Sequence, residues 1–392
     1  MLRSMYSGIS GLRNFQTKLD VIGNNIANVN TYGFKKGRVT FKDAMNQTMA
    51  GATAAQGNMG GKNPMQVGLG ASIGSIDTIT TQGSLQTTGR SLDLAINGDG
   101  YFVVSQGESN FYTRAGNFYL DDEGTLVTQD GYKVQSYNNG ILEDIVVNVN
   151  AAVPARETTE ITLAGNLPDD AVGNKSITQQ IKVVDENGEA HTLDVEIYKS
   201  ITDADEWEVE FINNNDGGNG VIVEIDFTDN SLTLSTGDMS GIGIDVSGPI
   251  TLDLEGLTNE SGSITAMATA DGNSAGALES FNIGGLGEIN GVYSNGLVLQ
   301  LGQLALSKFS NPSGLEKAGN NLLRETVNSG RPSNGVPGEG FGTIASSSLE
   351  MSNVDLSEEF TEMIVAQRGF QANTRIITTS DEILQELVNL KR

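Results

Sequence analysis

One short pattern in the sequence has the residue types of a hydrolase active site. Residues 70–74 (GASIG) match G-x-S-x-G, in which a sharp turn from a strand into a helix exposes a nucleophilic serine. Such a serine needs a general base, and the only histidine in the chain is His191. The residues that follow, 75–80, alternate between polar and apolar types as in a strand. The sequence therefore predicts a turn here rather than a catalytic serine.

Two polar turns have oxygen atoms that a calcium ion could use as ligands. These residues are Asp185, Asn187 and Glu189 in the first turn, and Asn213, Asn215 and Asp216 in the second. Neither turn has the regularly spaced carboxylates and terminal glutamate of a high-affinity calcium loop. We interpret both as hydrogen-bonded turns, and we expect neither a metal ion nor a cofactor.

The composition leaves few side chains for catalysis. The 392 residues include 49 acidic and 23 basic ones, a single His and no Cys, and the formal net charge is −26. The lack of Cys excludes thiol catalysis and disulfides, and the single His excludes multi-histidine metal sites. The negative charge disfavours nucleic acid and anionic membranes as partners. No apolar run is long enough for a membrane span, and the N-terminus lacks the apolar segment of a cleaved signal peptide.

The N-terminal residues predict a long helix that pairs with another helix. Apolar residues recur every three or four positions from Leu2 to Val29, a spacing typical of a coiled-coil seam. The polar run that ends at Gly33 predicts the end of the helix. The predicted contact residues are Leu12, Leu19, Ile22 and Ile26.

The C-terminal residues predict a second helix with its own apolar stripe. Five apolar residues recur at a strict interval of seven, and they are Leu356, Met363, Phe370, Ile377 and Leu384. The alternate seam positions are mixed, with Phe360 apolar and Gln367 polar. A half-polar seam disfavours an isolated coiled coil and favours pairing with the N-terminal helix. Ser352 or Asn353 is predicted to cap the start of this helix.

Between the helices, alternating apolar residues and turn signals predict two blocks of strands. The candidates are residues 101–105, 110–114, 125–129 and 132–137 in the first block, and 178–184, 192–198, 207–212 and 221–227 in the second. Residues 51–70 lack periodicity and predict an extended connector. Charge separates the segments, because residues 1–43 have seven basic and two acidic residues, whereas residues 150–265 have 23 acidic and four basic ones.

The order of these segments predicts nested domains, because helices from the two ends must meet. The predicted domains are a terminal helical domain of residues 1–35 and 352–392, a middle β domain of residues 36–149 and 266–351, and an inserted acidic outer β domain of residues 150–265. The fold class is therefore mainly β with helical termini. The helices form a coiled-coil layer, the middle β domain is discontinuous, and the inserted domain resembles a barrel or sandwich.

Several segments resemble the signatures of the bacterial flagellar rod and hook proteins. At the N-terminus, residues 19–35 read LDVIGNNIANVNTYGFK, and at the C-terminus residues 352–360 read SNVDLSEEF and residues 363–373 read MIVAQRGFQAN. Interior segments that also resemble the family signatures are 82–89, 97–102, 112–116 and 311–316. The similarity covers roughly residues 1–145 and 270–392. The large insert and the C-terminal sequence resemble the hook branch of the family more than the distal rod subunits, which are usually shorter.

This resemblance implies a structural subunit that assembles with many copies of itself into a curved, flexible tube between motor and filament. It implies helices in an inner layer, an outer β domain in solvent, and export through the flagellar apparatus without a cleaved signal peptide. The expected further partners are the distal rod, hook cap and hook–filament junction proteins. The predicted helix contacts named above, with Phe360, would then form the self-assembly interface. A distal rod subunit, a secreted cell-wall hydrolase and a β-rich adhesin stay open as alternatives.

Overall fold

The structure is a computed structural model that describes residues 2–54, 60–138, 140–148, 152–168, 176–199, 207–213, 220–225, 231–234 and 236–390. The chain forms two compact units. The terminal unit comprises Met1–Val147, Asn282–Asn290 and Gln300–Arg392, and the inserted unit comprises Asn148–Phe281 and Gly291–Leu299. The division into three domains, at the boundaries given above, stays a prediction.

Two long helices lie at the ends of the chain, as the seam spacing predicted. The first spans Leu2–Ala27 and the second spans Leu356–Asn389. The predicted cap of the second helix was wrong, because Asp355 is the capping residue and its carboxylate accepts hydrogen bonds from the backbone N–H groups of Ser357 and Glu358. The first helix ends before Gly33, which has a φ of 70° and closely approaches the backbone of Arg114.

The terminal unit has two narrow β-ribbons close to the first helix in sequence. Strand Gly37–Asp43 pairs with Ala71–Thr78, and strand Asn46–Ala50 pairs with Met65–Gly68, both antiparallel. The last of these strands lies within residues 51–70, where the sequence predicted a long extended connector and no strand. The prediction failed there because all four residues of Met65–Gly68 are exposed, so no buried face imposes an alternating pattern.

In the described residues, the main sheet of the terminal unit has ten strands. Seven follow one another in the order Glu316–Gly319, Leu322–Arg324, Ser109–Thr113, Tyr101–Gln106, Lys133–Asn138, Leu126–Thr128 and Phe118–Leu120, and the other three are Ile141–Asp144, Leu306–Lys308 and Ser333–Gly335. Two short pairs join Thr343–Ser346 with Leu94–Asn97 and Ser348–Glu350 with Leu85–Thr87. A single-turn 3-10 helix spans Pro312–Gly314. The four strands predicted between residues 101 and 137 are all present within one or two residues of their predicted ends.

The inserted unit contains two four-stranded sheets that share one apolar core. The first is an antiparallel meander of Ser176–Val184, Ala190–Lys199, Trp207–Asn213 and Gly220–Ile225. The second has the order Ser231–Leu234, Ile250–Thr258, Glu160–Asn166 and Met267–Ala270, and a short helix spans Thr236–Gly241. Trp207, Phe211 and Leu252 are fully buried in the shared core. In the described residues these sheets do not close into a barrel.

Four further strands form another sheet. Their order is Ala152–Val153, Gly276–Ile283, Glu288–Tyr293 and Val298–Gln303. The predicted strand 221–227 is present as Gly220–Ile225, and its last two predicted residues lie outside the described residues. The mainly β fold with helical termini is thus confirmed.

Candidate functional site

The serine of the G-x-S-x-G pattern lies in a strand. Ser72 belongs to Ala71–Thr78, where it pairs with Lys42 of the neighbouring strand. A nucleophile elbow requires a turn from a strand into a helix at this position, and the chain instead continues as a strand to Thr78. Ser72 therefore lacks the backbone geometry of a catalytic serine.

The first polar turn closes a hairpin through its own hydrogen bonds. Asp185 Oδ1 accepts a bond of 2.7 Å from the backbone N–H of Glu189, and Asp185 Oδ2 lies 3.4 Å from His191 Nε2. One ligand atom from each of these three side chains lies within 4.8 Å of the others. Both Asp185 oxygens already have protein partners, as expected of a structural turn. In the second turn, Asn215 and Asp216 lie outside the described residues.

Two carboxyl groups of the inserted unit have lowered pKa values. Desolvation acts to raise the pKa of Asp185 and of Asp271, but hydrogen bonds to each carboxylate outweigh it and hold both pKa values below their ordinary range. The Asp271 carboxylate accepts these bonds from the backbone N–H groups of Thr159 and Glu160. Each group therefore binds its proton more weakly in the folded unit than in the unfolded chain.

We expect the inserted unit to be stable above about pH 4 and to lose stability as the pH falls through the lowered folded pKa values. Trp207 is the only tryptophan and is buried in this unit, so its fluorescence reports unfolding there. Asp271→Asn should lower the stability at neutral pH and weaken the acid dependence. An acid dependence that is unchanged in this variant would contradict the assignment.

The two terminal helices pack against each other along small residues. Ala366 is fully buried, and a side chain added at Gly369 would come within 3 Å of the Phe15 ring. A side chain added at Gly8 would contact Ile377 at 3.5 Å. A side chain at Gly369 would therefore displace the Phe15 ring, whereas a Cβ at Gly8 would be in ordinary van der Waals contact with the second helix. The helix contact therefore depends on Ala and Gly at the points of closest approach as well as on apolar burial.

The predicted contact residues take different places around this seam. Ile22 is buried, and Leu12, Leu19, Ile26, Met363, Ile377 and Leu384 are half-buried. The other three remain exposed in the single chain, with exposed fractions of 40% for Leu356, 50% for Phe360 and 37% for Phe370. In the C-terminal helix, the side turned most fully inward has Glu359, Ala366 and Ser380, each seven or fourteen residues from the next. Whether all ten residues form a self-assembly interface stays a prediction.

Polar contacts connect the two helices at the end nearest the β-ribbon. Asn25 donates a hydrogen bond of 3.1 Å to buried Glu359, and it also exchanges two bonds of 2.9 Å with the backbone of Gly37. Lys18 of the first helix pairs with Glu362, and Lys36, in the segment after that helix, pairs with Glu358 at 2.7 Å. The predicted seam did not include these residues, because it consisted of apolar positions. The sequence does contain a signal for these ion pairs, because the first turn of the C-terminal helix is acidic and the N-terminal segment is basic.

Apolar residues on two other sides of the C-terminal helix are exposed in the described part of the chain. One exposed side lies at the start of the helix and comprises Leu356, Phe360 and Ile364. The other, which we call the outer stripe, comprises Val365, Ile376, Ile383 and Leu390. Its last three members recur at an interval of seven, the repeat of a coiled-coil seam. The helix thus has apolar residues for more than one helical neighbour.

A buried charge network lies where the helices meet the β structure. Glu350 is fully buried and accepts hydrogen bonds of 2.6 Å from Lys35 and 3.1 Å from Arg114. It also accepts a bond of 2.9 Å from the backbone N–H of Gly83. Desolvation lowers the pKa of Lys35, and the hydrogen bond to Glu350 opposes that effect. The network joins the segment after the first helix to the strand just before the second.

Gly369→Ala should destabilise the helix pair by about 1 kcal/mol, because the new methyl group displaces the Phe15 ring. Gly23 is the matched control, since it lies in the first helix and, apart from the backbone and neighbours of its own helix, no atom of the described residues lies within 4 Å of an added Cβ. Gly23→Ala should stabilise the pair by about 0.5–1 kcal/mol through helix propensity. Amide hydrogen exchange in the two helices measures both changes, and a stabilising Gly369→Ala would show that the helices do not touch there.

Three segments of the chain match family descriptions. Residues 5–35 match "Flagella basal body rod protein", residues 95–168 match "Flagellar hook protein FlgE/F/G D1 domain", and residues 345–390 match "Flagellar basal body rod FlgEFG protein C-terminal". The helix pair and the first β block thus coincide with the matched segments. None of the helices in the described residues is both long and apolar enough to cross a membrane.

Full-length relatives agree with these matches. The chain is 38% identical to the flagellar hook protein FlgE of Borreliella burgdorferi, with complete coverage of both chains, and 34% identical to that of Escherichia coli, with 98% coverage of each. It is 41% identical to the flagellar basal-body rod protein FlgG of Bacillus subtilis, again with complete coverage. A crystal structure of the Helicobacter pylori hook protein FlgE2 has a TM-score of 0.50 at 16% identity, covering 68% of this chain and all of that one.

These matches define a structural protein of the bacterial flagellum rather than an enzyme. The chain belongs to the flagellar hook and basal-body rod protein family. The expectation that rod subunits are much shorter does not hold for the Bacillus relative, which aligns over 394 residues. Length alone therefore does not separate the two branches.

Proposed function

We propose that the chain is the subunit of the flagellar hook, a curved and flexible tube that transmits torque from the motor to the filament. Relatives named as hook proteins in Borreliella, Treponema and Escherichia align over nearly the whole chain. The observation that carries the assembly role is the C-terminal helix, whose outer stripe stays exposed after it has paired with the N-terminal helix. A helix with surplus apolar sides requires further neighbours.

In this proposal, the paired terminal helices form an inner coiled-coil layer of the tube. The β structure of residues 36–149 and 266–351 forms a middle domain, and residues 150–265 form an outer, sandwich-like domain in solvent. A tube needs heterologous contacts repeated by a screw operation, so different patches of neighbouring copies must meet. The outer stripe and the helix start with Leu356 and Phe360 are two such patches.

The polar outer surface suits a tube that bends as it rotates. Each copy passes from the inside to the outside of the curve, so its contacts must slide without separating. Polar contacts exchange readily with water, and the acidic insert adds repulsion that salt screens. Stiffness in torsion then comes from the apolar inner helices, and flexibility comes from the outer surface.

The proposed partners are other copies of the chain, the distal rod, hook cap and hook–filament junction proteins, and the flagellar export apparatus. Export in an unfolded state fits a chain without cysteine, because a disulfide would obstruct threading. The helices would then complete their packing only at the growing tip, where neighbours bury the exposed sides.

Electron microscopy of the purified, concentrated protein tests this function. Curved, flexible tubes are the expected product. Straight, rigid tubes would favour the basal-body rod alternative, for which the Bacillus relative is the supporting observation. A protein that stays monomeric under all assembly conditions would contradict both.

A further inference from the structure

A pocket beside the buried charge network combines an apolar wall with positively charged side chains. It has a volume of about 180 Å³ and lies wholly within the terminal unit. Its apolar wall includes Phe34, Tyr101 and Leu322. Its charged residues are Lys35, Arg114 and Lys317, and none of the lining residues, all in the described part of the chain, is acidic.

Two of these cations have unused capacity to bind an anion. Arg114 donates through its terminal nitrogens to Glu350, Ile96 and Gly98, but its buried Nε has no hydrogen-bond partner among the described residues. Lys317 lies 5.0 Å above the Phe34 ring, and desolvation lowers its pKa. The neighbouring carboxylate of Glu316 does not compensate Lys317, because it pairs with Arg324 at 2.7 Å.

We infer that this pocket is a docking site for a second copy of the chain, which inserts an apolar side chain together with a carboxylate. This inference rests on the proposed assembly function. The apolar wall fits the side chain, and the cationic side fits the carboxylate. Charge complementarity favours a copy of the same protein, because its acidic residues outnumber its basic ones by 49 to 23. Its surface presents such pairs, for example Ile141 and Glu143, which are both exposed and lie on the same side of strand Ile141–Asp144.

Lys317 is the residue to change, because it lies at the exposed rim and is not part of the buried network. Lys317→Gln should raise the concentration needed for polymerisation about tenfold, since the incoming carboxylate loses its counter-charge. Lys308→Gln is the matched control, because Lys308 is also an exposed lysine of the terminal unit but pairs with Asp99 at 3.3 Å. The control should polymerise normally. Equal behaviour of the two variants would overturn the inference.

Cross-linking identifies the occupant independently of tube formation. Thr80 lines the pocket and is half-buried, and Thr80→Cys gives the full chain its single cysteine for labelling with benzophenone maleimide. Irradiation should give a covalent dimer, and Lys317→Gln in the same chain should reduce its yield strongly. Absence of a Lys317-dependent dimer overturns the docking site whether or not tubes form. Failure of the unmodified protein to form tubes, with the dimer still present, contradicts the hook function alone.

Discussion

Glu350→Gln is expected to lower the free energy of unfolding of the terminal unit by about 3–5 kcal/mol. The fully buried carboxylate is the only acidic partner of both Lys35 and Arg114 among the described residues, and those side chains are themselves 7% exposed. The amide keeps the shape of the side chain but leaves two buried cations without a counter-charge. Loss of the carboxylate should lower the pKa of Lys35 further, so the variant should regain stability as the pH rises and Lys35 becomes neutral.

The matched control is Glu316→Gln, which removes an ion pair of similar length from the same unit. Glu316 and Arg324 are both more than half exposed, so solvent already screens their attraction and little change is expected. Native-state hydrogen exchange in strand Tyr101–Gln106 measures the terminal unit, while Trp207 fluorescence should show an unchanged inserted unit. Similar losses in the two variants would mean that the buried network does not stabilise the unit.

The sequence predicted the elements best where one side of an element is buried. Both terminal helices and the strands around Val103 and Val195 have regular apolar periodicity, and the structure places them within a few residues of the predicted positions. The ribbon strand Met65–Gly68 has no buried side and therefore no pattern to detect. Periodicity reports burial, so exposed elements are invisible to it.

The inward side of the C-terminal helix was harder to predict, for a physical reason. Its inward residues include Glu359, Ala366 and Ser380, which are polar or small and do not add to an apolar pattern. These positions are small or polar because the first helix approaches closely and because Asn25 bonds to Glu359. The conspicuous apolar residues, such as Phe360, lie at the edges instead. Their position agrees with contacts to other copies, which a single chain cannot display.

The charge network had no local signal in the sequence. Lys35 and Glu350 are 315 positions apart, and Arg114 and Glu350 are 236 apart. Only the fold brings them together, at the junction between the helices and the β structure. The nested order of segments predicted that such a junction exists, but not which residues form it.

A charge introduced into the outer stripe is expected to have a second large effect, on polymerisation. Ile383→Asp should raise the concentration needed for polymerisation by more than about 100-fold, because a carboxylate would have to be buried without a partner when a neighbour covers the stripe. Ile383 is 46% exposed in the single chain, so the monomer should fold normally. Thr378→Asp is the matched control, since Thr378 is exposed on the same helix outside the stripe and should tolerate the charge.

Ile377→Asp separates assembly from pairing within one chain. Ile377 is half-buried and lies close to Gly8 of the first helix, so a charge there should loosen the helix pair before any neighbour binds. Hydrogen exchange should therefore rise in both helices of the Ile377→Asp monomer and stay unchanged in Ile383→Asp, although neither variant forms tubes. Normal tubes from Ile383→Asp would show that the outer stripe faces solvent in the assembly. Faster hydrogen exchange in the Ile383→Asp monomer would instead show that the outer stripe stabilises the single chain. The exposed stripe would then no longer be evidence for contact with a neighbouring copy.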